Sequence, residues 1–305
     1  MEYISYYLSF PVGIHVGEQN LDENRYRICA DTLFSALYIE ALKESGETAE
    51  WLLNEAKSGR ILLSDMFPYI GETAYLPKPM KRPEISENQG SSTVKKAFKK
   101  LGYVPMDKIG TYLDGQLDAT AENEKLKGLG KGSVKTSAAV KDDDDALPYH
   151  VGVYRFFENA GLYFILAMDD GTKDEKMERL IRLLSFSGIG GKRSSGLGRF
   201  EIRGKKSLNS SFFEENRKVY MSLGISLPRE DELEPVLTDA QYAIVKRGGF
   251  VQSESYADEQ RKKKDIYLLS AGSCFSRKFE GDIYDVSHGG RHPVYRYAKP
   301  VFWAL

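Results

Sequence analysis

The succession of apolar periodicities along residues 1–204 constrains this chain most. Tyr3 to Phe10 is dense in Tyr, Ile, Leu and Phe, the composition of a strand. A loop from Pro11 to Asn24 follows and carries His15. Asp31 or Thr32 can cap the next segment, in which Leu33, Phe34, Leu37, Tyr38, Ala41 and Leu42 form one wide apolar stripe at helical spacing. A second short helix is expected over about Thr48–Ala56 and a short strand at Ile61–Leu63. Pro68, Pro77, Pro79 and Pro83 then predict a loop without regular structure. Tyr149–Phe156 and Leu162–Met168 read as strands joined by Glu-Asn-Ala-Gly, a β-hairpin. Thr172-x-x-Glu175 is a capping box before a helix that keeps Met177, Leu180, Ile181 and Leu184 in phase. Arg199–Arg203 closes the series as a strand.

That order is a decorated βαββαβ unit, which predicts an α+β fold of the ferredoxin-like (RRM-like) kind. Residues 84–148 are poor in large apolar side chains except around Tyr103 and Tyr112, and read as an insertion rather than core. The expected domains are therefore 1–204, with its insertion at about 84–148, and 205–305. The second holds strand candidates at Val219–Ser226, Gln241–Val245, Ile266–Leu269, Asp282–Val286 and Val301–Ala304, so a second ferredoxin-like domain in tandem is expected.

Composition excludes several classes. Aromatics at 12% are too many for a disordered chain. No apolar run is long enough for a membrane span, and the N-terminus lacks the marks of a signal peptide. Cys29 and Cys274 alone make neither a zinc site nor a disulfide framework, and a cytoplasmic location is expected. The net charge of −1 looks unsuited to nucleic acid, but it hides a pattern. Residues 192–206 carry 6 basic residues against 1 acid, and residues 246–264 carry 6 against 3. The remainder has 31 basic and 40 acidic residues. An acidic body with two basic segments suits a protein that grips phosphates locally.

The first basic segment overlaps the most informative motif. Gly188, Gly190, Gly191, Gly196 and Gly198 alternate with Lys192, Arg193, Ser194 and Ser195. Glycines let backbone approach an anion, and the cations supply charge. This is not a Walker A loop: Phe186 stands where its first glycine belongs and Arg193 where its Ser/Thr belongs. In the second segment, Lys246, Arg247 and Phe250 surround two glycines, with Arg261, Lys262 and Lys263 close by in sequence. They offer cations for phosphates and a ring for a base. Lys78 adds a cation on a rigid Leu-Pro-Lys-Pro loop, and Thr32 and Ser35 put hydroxyls at a helix N-terminus. His15 is the one candidate general base, with no assignable acid partner. His288 and His292 flank two glycines in a loop, and Asp142–Asp145 reads as a solvated acidic run. No metal or cofactor site is expected, and no nucleophile elbow occurs.

Taken in order, these segments resemble a known family. Ala-Asp-Thr-Leu-Phe-Ser-Ala-Leu at 30–37, Leu-Pro-Lys-Pro at 76–79 and Gly-Ile-Gly-Gly-Lys-Arg-Ser-Ser-Gly-Leu-Gly-Arg-Phe at 188–200 come first. Arg-Gly-Gly-Phe at 247–250, Arg-Lys-Lys at 261–263 and Val-Tyr-Arg-Tyr at 294–297 follow. The set resembles the fourth Csm subunit of type III-A CRISPR effector complexes, in the RAMP superfamily. The resemblance implies two RRM-like domains that hold the 5′ handle of the CRISPR RNA (crRNA). It implies contact with the large signalling subunit and a backbone subunit, target RNA being met only indirectly. It implies no nuclease site of the chain's own, and a β-hairpin thumb within about 115–150 leading into the strand that holds Arg155. Phosphate contacts would come from Lys192, Arg193, Ser194, Ser195 and Arg199. Two other readings stay open: a metal-independent endoribonuclease for precursor crRNA with His15 as base, and an assembly protein whose basic loops meet an acidic protein.

Overall fold

The computed structural model describes residues 1–17, 20–83, 92–139, 147–169, 174–253 and 255–305. The capping box at Thr172 and the aspartate run 142–145 lie outside the described residues. The chain begins with β1 (Glu2–Ser9), α1 (Ala30–Glu44), α2 (Gly46–Lys57), β2 (Ile61–Leu63), β3 (Phe67–Ile70) and β4 (Thr73–Pro77). Next come α3 (Ser92–Lys100), β5 (Tyr103–Pro105), α4 (Ile109–Leu113), α5 (Ala119–Leu126), β6 (Gly130–Ala139) and β7 (Leu147–Phe156). β8 (Ala160–Met168), α6 (Asp174–Ser187) and β9 (Glu201–Leu208) complete the first half. The C-terminal part holds α7 (Ser211–Glu214), β10 (Tyr220–Ser222), α8 (Glu230–Leu237), β11 (Ile244–Arg247) and β12 (Ile266–Leu269). It ends with β13 (Cys274–Phe275), β14 (Ile283–Asp285), β15 (Tyr295–Tyr297) and β16 (Phe302–Ala304).

β1 is the hub because it is apolar on both faces. It pairs antiparallel with β8, placing Tyr6 opposite Phe164, and with β9 on its other side. The main sheet runs β5-β4-β3-β8-β1-β9, with β2 also on β8. Taking β1 as first, β2 and β3 as second, β8 as third and β9 as fourth, the order is fourth–first–third–second, with helices on one face. On that face Ile4, Tyr6, Leu8, Leu162, Phe164 and Leu166 pack on Leu33, Phe34 and Leu37 of α1 and on Met177, Leu180, Ile181 and Leu184 of α6. Both helical stripes expected from spacing are thus the core. α2 is fixed at its start by Ser45, whose Oγ accepts from the Thr48 N–H at 3.1 Å.

Three expectations need correction. First, residues 92–129 are core. Phe98, Leu101, Ile109 and Tyr112 join Tyr3, Tyr163, Ile165, Met221 and Trp303 in a second cluster on the sheet's other face. Each large ring or aliphatic side chain buried there contributes roughly 1.5–3 kcal/mol. Second, the proline-rich stretch holds β3 and β4. β4 reaches only Tyr69 and Ile70 of β3, so Pro68 lies on an edge portion where proline is tolerated. Third, β7 and β8 do not pair. β7 pairs along its whole length with β6, from Gly130↔Phe156 to Ala139↔Leu147, and β8 enters the main sheet. Asn159, at φ 61°, takes the left-handed conformation at the turn between them. Local alternation cannot show this partner choice, because β8 is buried at every position and needs neighbours on both sides.

The C-terminal strands are shared among three small sheets, β13-β10-β16, β11-β12 and β14-β15. The covered sheet has a functional consequence. An RRM-like sheet binds RNA on an open face, and here both faces are buried, so a ligand must use loops and clefts instead.

Candidate nucleic-acid interface

The glycine-rich loop joins α6 to β9 and lies along the segment 13–16. Gly191 donates its N–H to the His15 carbonyl and Gly198 to the Gly13 carbonyl, both at 2.9 Å. Two glycines are required for this close approach. A Cβ on Gly198, at φ +80°, would stand 2.0 Å from the Ile189 carbonyl oxygen, and one on Gly190, at φ +93°, 2.7 Å from that of His15. Gly188 also donates, to Leu184 at 2.7 Å. The N–H groups of Gly188 and Gly191 are therefore already committed within the protein. What the loop offers an anion is its side chains.

His15 is buried, with Nδ1 donating to the Gly152 carbonyl at 2.7 Å. It pins the loop to β7. Lys192 is held in the left-handed region and lies over the Tyr149 ring at 4.8 Å. Arg193 donates to Gln252 Oε1 at 3.0 Å, tying the loop to residues 247–253. Ser194, Ser195 and Arg199 are exposed. Ion pairing divides the first basic segment. Arg203 and Lys206 meet Glu201 and Glu72 at 3.2 and 2.7 Å, and Lys205 meets Glu178. Lys192, Arg193 and Arg199 meet no carboxylate among the described residues.

The second segment divides the same way. Arg247 grips Asp31 through two hydrogen bonds of 3.0 and 2.9 Å and also donates to Thr32 Oγ1 at 3.0 Å. Arg296 also bonds to Asp31 and donates to the Gly248 carbonyl at 3.0 Å. Burial pushes the Asp31 carboxyl up, and Arg247 and Arg296 more than reverse this, holding it below the usual range. This buried trio ties the start of α1 to β11 and β15. Arg247 and Thr32 are thus structural here, and Lys246 is paired with Asp265 at 2.7 Å. Lys263 meets no carboxylate among the described residues. Burial and the nearby Arg296 press its ammonium down to about 8.

A cleft of about 940 Å³ runs between α1, the glycine-rich loop, residues 247–253 and residues 292–296. It brings together His15, Thr32, Ser35, Gly190, Gly191, Arg193, Arg247, Phe250 and Lys263. A shallower hollow of about 520 Å³ holds Lys192, Ser194, Arg199, Lys43 and Phe186, and shares Gly190, Arg193 and Gln252 with the cleft. Lys262 reaches the Phe250 ring at 5.5 Å, and Arg261 is exposed nearby in sequence. Lys78 lies elsewhere, donating to the Phe98 carbonyl at 3.1 Å near the end of α3. Arg155 sits on the β6–β7 ribbon, donating to Ser133 Oγ at 3.0 Å. Sequence reasoning missed Lys43, Gln252 and Phe186 as lining residues. It quoted Asp31 and Arg296 within motifs without seeing that they meet; no local signal joins positions so far apart.

Fold and cleft define an α+β protein with a covered sheet and a cation-lined groove between its halves. Comparison with known proteins narrows this. Residues 215–305 match the family model of the CRISPR Csm4 C-terminal domain. The chain is 40% identical over 294 residues to the CRISPR system Cms protein Csm4 of Mycobacterium tuberculosis (strain ATCC 25618 / H37Rv), covering 95% of this chain and 94% of that protein. It is 33% identical over 316 residues to the Csm4 protein of Streptococcus thermophilus, covering 100% and 99%. Among solved structures, it matches a chain of a Csm3–Csm4 subcomplex of the type III-A CRISPR-Cas interference complex with a TM-score of 0.62, at 20% identity and coverage of 100% and 99%. It matches a chain of a Csm1–Csm4 cassette in complex with cA4 with a TM-score of 0.60, at 18% identity and coverage of 100% and 98%. The chain belongs to the Csm4 family of CRISPR systems.

Proposed function

We propose that the chain is the crRNA-gripping, non-catalytic subunit of a cytoplasmic type III-A Csm complex. It holds the 5′ handle in the joined cleft and hollow and docks the large subunit and a backbone subunit. One observation carries this reading: the three cations of the glycine-rich loop without a described carboxylate partner, Lys192, Arg193 and Arg199, all line one hollow. A cation held beside a carboxylate has little left for a phosphate; these three are available. Lys263 and Phe250 continue the path inside the cleft. The solved relatives support the protein partners, since they are described as subcomplexes with Csm3 and with Csm1. The β6–β7 ribbon, with Lys131 opposite Arg155, fits the thumb that would part handle from guide.

The endoribonuclease reading loses ground on His15, whose ring is buried and pinned to Gly152. The full chain, incubated with repeat RNA, is expected to leave it uncut, and His15→Ala is expected to lower stability rather than remove a cleavage. The assembly is tested by tagging the chain, purifying it from its host, and identifying bound RNA and proteins together. Recovery of crRNA with the large and backbone subunits is the expected result. Partner proteins recovered without RNA would favour the assembly reading.

A further inference from the structure

Phe186 is the most exposed large apolar side chain among the described residues, at 71%. It stands one residue before the end of α6, beyond the Met177–Leu184 stripe that anchors that helix in the core. Among the described residues its ring takes part in no aromatic stack and no cation–π contact. A phenyl ring left in water gives up the burial that most phenylalanines obtain, so the position calls for an explanation.

Its surroundings supply one. The ring lines the same hollow as Lys43, Lys192, Arg193, Ser194 and Arg199. An apolar face rimmed by cations and a hydroxyl matches single-stranded RNA, which presents a base to a ring while its phosphates seek positive charge. An apolar protein surface docking on Phe186 would have to desolvate three of those cations without a carboxylate among the described residues to receive them. The geometry points to Phe186 as a stacking platform for one nucleobase of the bound RNA. This rests on the RNA-gripping reading above and adds to it a specific contact. Phe250, 47% exposed in the adjoining cleft, is the matching ring on the far side of the Arg193–Gln252 bond. Two bases are thereby held on either side of that bond. Stacking accepts any base, so Phe186 supplies grip rather than sequence identity.

The test uses the full chain and a handle oligoribonucleotide with 2-aminopurine placed at each position in turn. Wild-type protein is expected to quench the fluorescence at one position through Phe186. Phe186→Ala is expected to abolish that quenching and to weaken binding roughly fivefold to a hundredfold, the range for one stacked base. The slope of affinity against salt stays unchanged, because no cation is removed. Phe186→Trp restores both quenching and affinity. Normal binding and quenching in Phe186→Ala would overturn the stacking while leaving the RNA reading intact. So would normal RNA binding in a variant that no longer joins its protein partners, which would make the ring a protein contact. A wild-type chain that binds no handle RNA, alone or assembled, would overturn both.

Discussion

Lys192→Ala with Arg193→Ala weakens binding of handle RNA roughly 10- to 100-fold at physiological salt and flattens the salt dependence by about one unit of slope per lost phosphate contact. Stability changes by no more than about 1 kcal/mol, because both side chains are on the surface and the only packing lost is the contact of Lys192 with Tyr149. Filter binding across a salt series, with urea denaturation as control, separates the two effects. The same exchange at Lys205 and Lys206 has a much smaller effect on RNA, since those cations are paired with Glu178 and Glu72. A uniform loss for both pairs of substitutions would mean that bulk charge, rather than the hollow, governs binding.

The largest effect on stability falls at Asp31. Its carboxylate is wholly buried between Arg247 and Arg296. Asp31→Asn leaves two buried guanidinium groups facing a neutral amide and is expected to cost about 3–5 kcal/mol. The urea midpoint measures it. The pH dependence follows from the direction of the shift. The folded carboxyl titrates below its unfolded value. The stabilisation is therefore complete above about pH 4, the ordinary aspartate range, and is lost as pH falls through the lower folded value. Acid should destabilise the wild type through this group and lack that component in Asp31→Asn. Under conditions where the variant stays folded, the salt slope for RNA is unchanged, because Arg247 and Arg296 serve the fold.

Much of this was legible in sequence where the determinants are local. The stripes of α1 and α6 follow from residues three and four apart, and the glycine-rich loop announces itself by composition. What depends on partner choice was not legible. Tyr149–Phe156 alternates like half of a hairpin, yet its partner is β6, across residues 140–146, because β8 is committed to β1 and β3. Residues 92–129 look polar on average, yet Phe98, Leu101 and Tyr112 are spaced to cover the sheet. In the site, residue type identified the cations but not which are neutralised. Arg247 and Lys192 look alike in sequence; only their distance from Asp31 separates a strut from a phosphate ligand. Phe186 was passed over because an exposed ring has no sequence signature.

The most direct measurement of the central claim is ultraviolet crosslinking of RNA within the assembled complex, with the attached peptides identified by mass spectrometry. Crosslinks are predicted on 186–199, at Phe250 and at Lys263, in the hollow and the cleft that adjoins it. An assembled, RNA-containing complex whose crosslinks to this chain all fall elsewhere, with none on these segments, would contradict the account.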